Sequence, residues 1–161
     1  MNISTPDLCD SNPDLVRILE PILDSYGGKV SFGGEIVTVK CFEDNSRVKE
    51  LAATNGRGKV MVVDGGGSLK KALLGDLIAQ SAMENGWEGF VIYGCIRDVE
   101  PIGDMNIGVK ALNSIPLKTQ RKGVGDTNID ITFGGITMRS GEYIYADETG
   151  IIISSEPLIN K

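Results

Sequence analysis

The chain of 161 residues contains no histidine, and that absence removes whole classes of chemistry. Ser-His-Asp and Cys-His nucleophile systems, histidine-ligated zinc and imidazole proton shuttles all need the missing ring. Cysteine is scarce: Cys9, Cys41 and Cys95 are odd in number, far apart and outside any C-x-x-C arrangement. Neither a disulfide framework nor a thiolate zinc site is expected, and a reducing cytoplasm suits such thiols. No run approaches the roughly 18 apolar residues of a membrane-spanning helix. The start, Met1-Asn2-Ile3-Ser4-Thr5-Pro6-Asp7, lacks the basic flank and apolar stretch of a secretory signal. The expectation is a soluble, cytoplasmic protein without a membrane partner. Positive charge is also in deficit, with 16 Lys and Arg against 22 Asp and Glu and a net charge of −6. That balance opposes a broad phosphate-binding surface, so direct nucleic-acid binding is not expected. Catalysis is left to carboxylates, Arg, Lys, Tyr, Cys, backbone groups or a carboxylate-bound metal.

What is present reads as one α/β domain over residues 1–161, with 41% hydrophobic and 24% charged residues, long enough to bury a core. Thr5-Pro6-Asp7-Leu8 reads as a helix start, with Thr5 as N-cap and Pro6 in the first helical position. Leu15, Ile18, Leu19 and Ile22 continue the helical spacing until Gly27-Gly28. Residues 30–32 and 35–42 are rich in β-branched residues and separated by Gly33-Gly34, a strand, turn, strand pattern. Residues 47–55 predict a short helix closed by Gly56. Residues 59–64 form a continuous apolar run, as in a strand buried on both faces, and Gly65-Gly66-Gly67 breaks it. Helical spacing returns over residues 76–85 before Gly86, and a second buried strand is expected over 89–94. From Asn106 onward short strands dominate, including 129–133, 136–139 and 143–153 around a turn at Asp147-Glu148-Thr149-Gly150. Phe32-Gly33-Gly34 recurs as Phe133-Gly134-Gly135, a turn signal in both places rather than a repeat.

Asp64-Gly65-Gly66-Gly67-Ser68 follows a buried strand as a nucleotide loop would. It lacks the Lys-Ser/Thr of a Walker sequence, however, and has Lys70 where the dinucleotide fingerprint needs Gly. The glycines read as a sharp turn, and a methyltransferase reading weakens for the same reason. Adjacent Lys70 and Lys71 mark a solvated face rather than the desolvated nucleophile of a Schiff-base aldolase. Cys95 reads as packing. Leu74-Gly75-Asp76-Leu77-Ile78 is different, because a first helical turn presents free N–H groups and a positive dipole end to a carboxylate. Its plain structural reading is Gly75 as N-cap and Asp76 on the dipole. Arg97-Asp98 follows a buried strand, where α/β proteins place ligands, and competes with a surface ion pair. Together the three features combine an anion site, an arginine for developing negative charge and carboxylates able to hold a hard divalent ion through water.

These segments resemble the family that contains regulator of ribonuclease activity A and the class II 4-hydroxy-4-methyl-2-oxoglutarate aldolases. The resemblance runs through Ser31-Phe32-Gly33-Gly34, Asn55-Gly56-Arg57-Gly58, Val63-Asp64-Gly65-Gly66-Gly67, residues 88–94 and residues 145–150, in order along the whole chain. Asp76 followed by Arg97-Asp98 reproduces the aldolases' spacing of an acid, twenty residues and Arg-Asp. The resemblance implies a three-layer β/β/α swivelling-domain-like fold and a homotrimer with clefts between subunits. It implies that Asp98 anchors Mg²⁺ or Mn²⁺ largely through water, and that Arg97 faces the oxo oxygen of a small 2-oxo acid. Gly75 and the amides of Asp76, Leu77 and Ile78 would then cradle the substrate carboxylate, while Asp76 orients a water for proton transfer. Glu100 is a candidate to steady the metal's waters.

The implied activity is cleavage of 4-hydroxy-4-methyl-2-oxoglutarate to two pyruvates, with oxaloacetate decarboxylation as a second activity through the same enolate. Longer aldolases of the family add a C-terminal segment whose acid reaches a neighbouring subunit's metal site; this chain ends at Lys161, so weak or redirected activity is an open expectation. The other implied role is non-enzymatic: short members bind the degradosome endoribonuclease and associated RNA helicases and restrain RNA decay. An acidic surface would suit basic protein partners. The set Asp76, Arg97 and Asp98 favours the enzyme, since a pure binding protein has no need of a metal acid beside an enolate-stabilising arginine.

Overall fold

A strand with apolar side chains on both faces needs a packed layer on each side, and that requirement organises this molecule. The computed structural model describes residues 2–159; Met1 and Lys161, which the sequence reading takes as start and end, lie outside the described residues. In order the elements are α1 (Thr5–Ser11), β1 (Arg17–Ile18), β2 (Asp24–Ser25), β3 (Phe32–Lys40), α2 (Ser46–Ala52), β4 (Lys59–Asp64), β5 (Ala72–Leu74), α3 (Asp76–Glu84), β6 (Gly89–Ile96), α4 (Val99–Gly103), β7 (Gly108–Ser114), β8 (Asp126–Thr127), β9 (Ile131–Phe133), β10 (Ile136–Met138), β11 (Tyr143–Ala146) and β12 (Ile151–Ser154). Strands β3, β4, β6 and β7 pair in parallel at the centre. Antiparallel β11, β12 and β1 extend one edge and β2 the other.

The period of two decides which core each side chain joins. Met61 and Val63 of β4, with Phe90 and Ile92 of β6, meet Val48 and Ala52 of α2, Ile78, Ala79 and Ala82 of α3 and Ile102 of α4. Val60, Val62 and Val91 point the other way, onto Ile131 and Phe133 of β9, Met138 of β10 and Leu19. Helices, central sheet and a β layer are therefore stacked as the β/β/α reading requires. Among the described residues no helix is long and apolar enough to cross a membrane.

Three local expectations are corrected. The first helix stops at Ser11 and is capped by Ser4, whose hydroxyl accepts from the Asp7 amide, not by Thr5. Thr5 instead donates through its amide and its hydroxyl to the Asp147 carboxylate, each at 2.7 Å. Asn12 precedes Pro13 and leaves the helical region, as the ring of a following proline demands. Beyond it a turn over residues 13–15 leads into an extended segment, with Arg17 and Ile18 paired to Ile153 and Ile152. Ile18 is 61% exposed and Leu19 2%, an alternation that a helical reading merges into one face.

The second correction is Gly33-Gly34, which lies inside β3 and forms no turn. A Cβ on Gly34 would sit 2.4 Å from the Gly58 carbonyl oxygen, so the residue is small because β3 passes close to another backbone. The same tripeptide at Phe133-Gly134-Gly135 is the expected turn, with φ of +59° and +81° closing the β9–β10 hairpin. The third is Cys95, which lies within β6 rather than after it.

Substituting Gly34→Ala should lower unfolding free energy by about 1–3 kcal/mol through overpacking. Gly150→Ala, where an added methyl meets nothing within 4 Å, should stay within about 0.5 kcal/mol of the parent in urea denaturation.

Candidate functional site

The site is built where two parallel strands end side by side. β5 pairs with the last residues of β6, Ala72 with Cys95 and Leu74 with Ile96, and the Arg97 amide donates to the Leu74 carbonyl at 2.9 Å. Each strand then runs at once into a functional segment, β5 into Gly75 and α3, β6 into Arg97-Asp98. The pairing of β6 with β7 shifts register between Ile92 and Cys95, the kind of irregularity that re-aims a strand end. Asp98 adopts a left-handed conformation, φ 57° and ψ 46°. Asp tolerates that region better than most residues, and such strain persists only where surroundings enforce it.

Those surroundings are the first turn of α3. The Asp76 amide donates to Asp98 Oδ2 at 3.0 Å, and Arg97 Nε lies 3.9 Å from the same oxygen. The carboxylate thus sits on the positive end of the helix dipole. Gly75 is extended rather than left-handed, so its need is purely steric. A Cβ there would lie 2.8 Å from Asp98 Oδ2 and 3.3 Å from Arg97 Nε. Of the three amides named as a carboxylate cradle, that of Asp76 is engaged by Asp98. Those of Leu77 and Ile78 donate to no protein group among the described residues. Asp76 and Arg97 line the same cleft as Gly75, Leu77 and Ile78, whereas Glu100 is exposed in the first turn of α4 and is not part of that wall.

Sequence reasoning missed the opposite wall. Asn45, Lys118, Thr119 and Arg121 complete the cleft. The signal was a cluster of cations, Lys118, Arg121 and Lys122, in a chain with only 16. This segment has little regular structure and is held by the N-terminal end of α2. Buried Asn45 accepts through Oδ1 from Thr119 Oγ1 at 2.8 Å and Arg121 Nε at 3.0 Å. Buried Asp44 accepts from the amides of Lys122 (2.8 Å) and Val124 (3.2 Å) and from the amide and hydroxyl of Ser46. Arg47 Nε donates to the Gly125 carbonyl. Burial opposes ionisation of Asp44, but the Ser46, Lys122 and Val124 donors outweigh it and hold the carboxyl at about 2.

The remaining candidates settle into structural roles. In the glycine turn after β4, the Gly65 and Gly67 amides donate to the Tyr93 carbonyl and the Gly66 amide to Asp64 Oδ1. Those amides are occupied rather than offered to a phosphate. Lys70 is exposed. Cys41 is buried, and desolvation followed by the nearby Asp44 and Asp64 carboxylates pushes its thiol up to about 12, far from a reactive thiolate.

Residues 5–153 match the family model described as RraA-like, Aldolase/RraA. A protein of Azotobacter vinelandii named "Putative 4-hydroxy-4-methyl-2-oxoglutarate aldolase" is 60% identical over 158 residues, 98% of each chain. One of the same name from Pseudomonas fluorescens strain SBW25 is 64% identical over 154 residues, 96% of this chain and 94% of the other. Among solved structures, the S-adenosylmethionine: 2-dimethylmenaquinone methyltransferase from Geobacillus kaustophilus HTA426 aligns with a TM-score of 0.95 and 44% identity, covering 99% of this chain and 100% of that one. The RNA-processing inhibitor RraA from Thermus thermophilis aligns with a TM-score of 0.93 and 38% identity, covering 98% and 95%.

Two outcomes follow from the packing around the cleft. Asp44 has a folded-state value near 2 against its ordinary 3.8, so its contribution to stability is complete above about pH 4 and is lost as pH falls toward 2. Asp44→Asn should cost about 1–3 kcal/mol at pH 7, and the difference from the parent should shrink in melts run toward pH 2. Gly75→Ala should leave the fold intact by circular dichroism while displacing the Asp98 carboxylate, visible as a changed Asp76 amide shift in a ¹⁵N–¹H spectrum.

Proposed function

Because the chain belongs to the RraA-like, aldolase/RraA family, we propose that it is a lyase that cleaves 4-hydroxy-4-methyl-2-oxoglutarate into two pyruvates, with oxaloacetate decarboxylation as a second activity. The observation that carries this reading is the convergence at one helix end: Arg97 and the first turn of α3 line one cleft, and Asp98, which accepts from the Asp76 amide, lines the adjoining one with Arg97. Asp98 offers only hard oxygen donors, and its Oδ1 accepts no hydrogen bond from any described residue. Among the described residues no three His, Cys, Asp or Glu come together to cage a metal. Such a set fits Mg²⁺ or Mn²⁺ kept largely hydrated and does not fit an ion that needs a protein cage. Asp98 would hold that ion, whose chemistry when bound is polarisation of the substrate's 2-oxo group.

The chain's own residues supply the rest. The Leu77 and Ile78 amides receive the carboxylate next to the oxo group, and Arg97 stabilises the oxygen that becomes the enolate. As the C3–C4 bond breaks, its electron pair enters the enolate, the C4 hydroxyl gives up its proton, and C4 becomes the carbonyl carbon of the second pyruvate. Asp76 orients the water that carries that proton and returns one to C3 of the enolate. In oxaloacetate, loss of CO₂ leaves the same enolate, so one set of groups serves both substrates. The domain 1–161 would act as a homotrimer in the reducing cytoplasm. In support, apolar Leu77, 79% exposed, and Leu117, 54% exposed, flank the cleft uncovered, as a face closed by a second copy would be.

The resemblance to the RNA-processing inhibitor RraA favours a second reading: binding to a degradosome endoribonuclease and RNA helicases through the acidic surface, without chemistry. Pyruvate release in a coupled assay decides between the two. With Mg²⁺ or Mn²⁺ both substrates should turn over and a chelator should stop them. Asp98→Asn, which keeps the left-handed backbone tolerable, should lower kcat by about 10²-fold or more, and Arg97→Ala likewise. Absence of turnover with any divalent ion, together with inhibition of the endoribonuclease by the purified protein, would establish the second reading instead.

A further inference from the structure

We infer a second ligand site, on the β9–β10 side of the central sheet, that takes a small organic cation: an ammonium or guanidinium group carried on an aromatic or other apolar body. It shares no lining residue with the α3 cleft and does not rest on the lyase reading. It is built where β3, β4 and β6 end together, the place at which parallel sheets present ligands. Lys40, Asp64 and Tyr93 are register neighbours across those three strands. The period of two turns all three toward the layer of β9 and β10, as it does Val62 and Val91. Around them lies a cavity of about 500 Å³, completed by Phe42, Val124 and Thr132, a size and lining that suit a small molecule.

The chemistry of the occupant follows from what the chain leaves unmatched. Asp64 is 7% exposed. Its Oδ1 accepts from the Gly66 amide at 2.9 Å, whereas Oδ2 accepts from no described residue. Among the described residues the carboxylate enters no salt bridge, even though Lys40 is its neighbour in register. A carboxylate buried to this extent without a cation is costly, and a bound cation offsets that cost. Asp126 adds a second acid, so the cavity holds two carboxylates against the one ammonium of Lys40. The rest of the wall is aromatic. Tyr93 is stacked on Phe133, with ring centroids 5.0 Å and planes 3° apart, and Phe42 is 65% exposed. Gly66 and Gly67 of the glycine turn make room for these rings: a Cβ on Gly66 would lie 2.8 Å from Phe42 Cδ1, and one on Gly67 3.1 Å from the Tyr93 hydroxyl oxygen. Electron-rich ring faces beside a desolvated carboxylate select an organic cation. An anion meets two acids and turn amides that are already occupied. A bare metal ion finds no three ligating side chains among the described residues.

Titration of the protein at neutral pH with three probes of one shape, 2-phenylethylammonium, 2-phenylethanol and 3-phenylpropionate, followed in ¹⁵N–¹H spectra, tests the assignment. The ammonium should bind about tenfold more tightly than the neutral alcohol, and the anion most weakly. Its amide shifts should centre on Gly66, Gly67 and Val124 and spare Leu77 and Ile78. Asp64→Asn keeps an acceptor for the Gly66 amide but removes the charge; it should weaken the ammonium about tenfold and leave the alcohol unchanged. Phe42→Ala should weaken the ammonium about 3- to 5-fold. Lys40→Gln, which removes the competing cation, should strengthen it. Phe42 and Lys40 are exposed, so these two variants carry the test should Asp64→Asn fail to fold. No saturable binding of the ammonium, equal binding of the three probes, shifts centred on the first turn of α3, or insensitivity to Phe42→Ala and Lys40→Gln would each overturn the assignment. So would Gly66 and Gly67 shifts that follow protein concentration rather than probe, because a second copy would then fill the cavity.

Discussion

Burial of both faces of β3, β4, β6 and β7 is the constraint on which the molecule depends. Val60, Val62 and Val91 need one apolar layer, and Met61, Val63, Phe90 and Ile92 need another. The helices and the β9–β10 hairpin meet those two demands. Parallel pairing then brings successive strand ends to one side, and the ends of β5 and β6 in particular deliver Gly75 and Arg97-Asp98 to the same place. The site is a consequence of the ladder rather than an addition to it.

Electrostatics at that junction is economical because the helix supplies the positive charge. The Asp98 carboxylate, in a left-handed backbone conformation, receives the Asp76 amide, while two further amides of the same turn donate to no group among the described residues. One helix end thus anchors an acid of the protein and, among the described residues, keeps two further donors unengaged. Gly75 makes this possible by being small, since any side chain at that position would occupy the space of the Asp98 oxygen. With no histidine in the chain, the ionisable side chains that meet here are carboxylates and a guanidinium.

The opposite wall obeys a different logic. It is a loop with little regular structure, and its shape is imposed by the four consecutive residues Asp44, Asn45, Ser46 and Arg47 through side-chain bonds to it. Asp44 remains ionised there because donors outweigh the cost of burying it. The loop thereby becomes a fixed wall of the cleft.

By itself the sequence determined the buried strands at residues 59–64 and 89–94, the helix opening at Asp76, the late hairpins and the spacing of Asp76 from Arg97-Asp98. Each is written in local periodicity or in turn residues whose preference is local. The tertiary structure alone decided three things. It ended α1 at Ser11 and drew residues 17–18 onto the sheet edge, where pairing with β12 outweighs an apolar spacing that suits either state. It gave one Phe-Gly-Gly the role of a turn and the other a place inside β3, because only the fold brings the Gly58 carbonyl against Gly34. And it placed Asn45, Thr119 and Arg121 on one wall of the cleft, since contacts made across more than seventy residues of chain have no local signature from which they could be read.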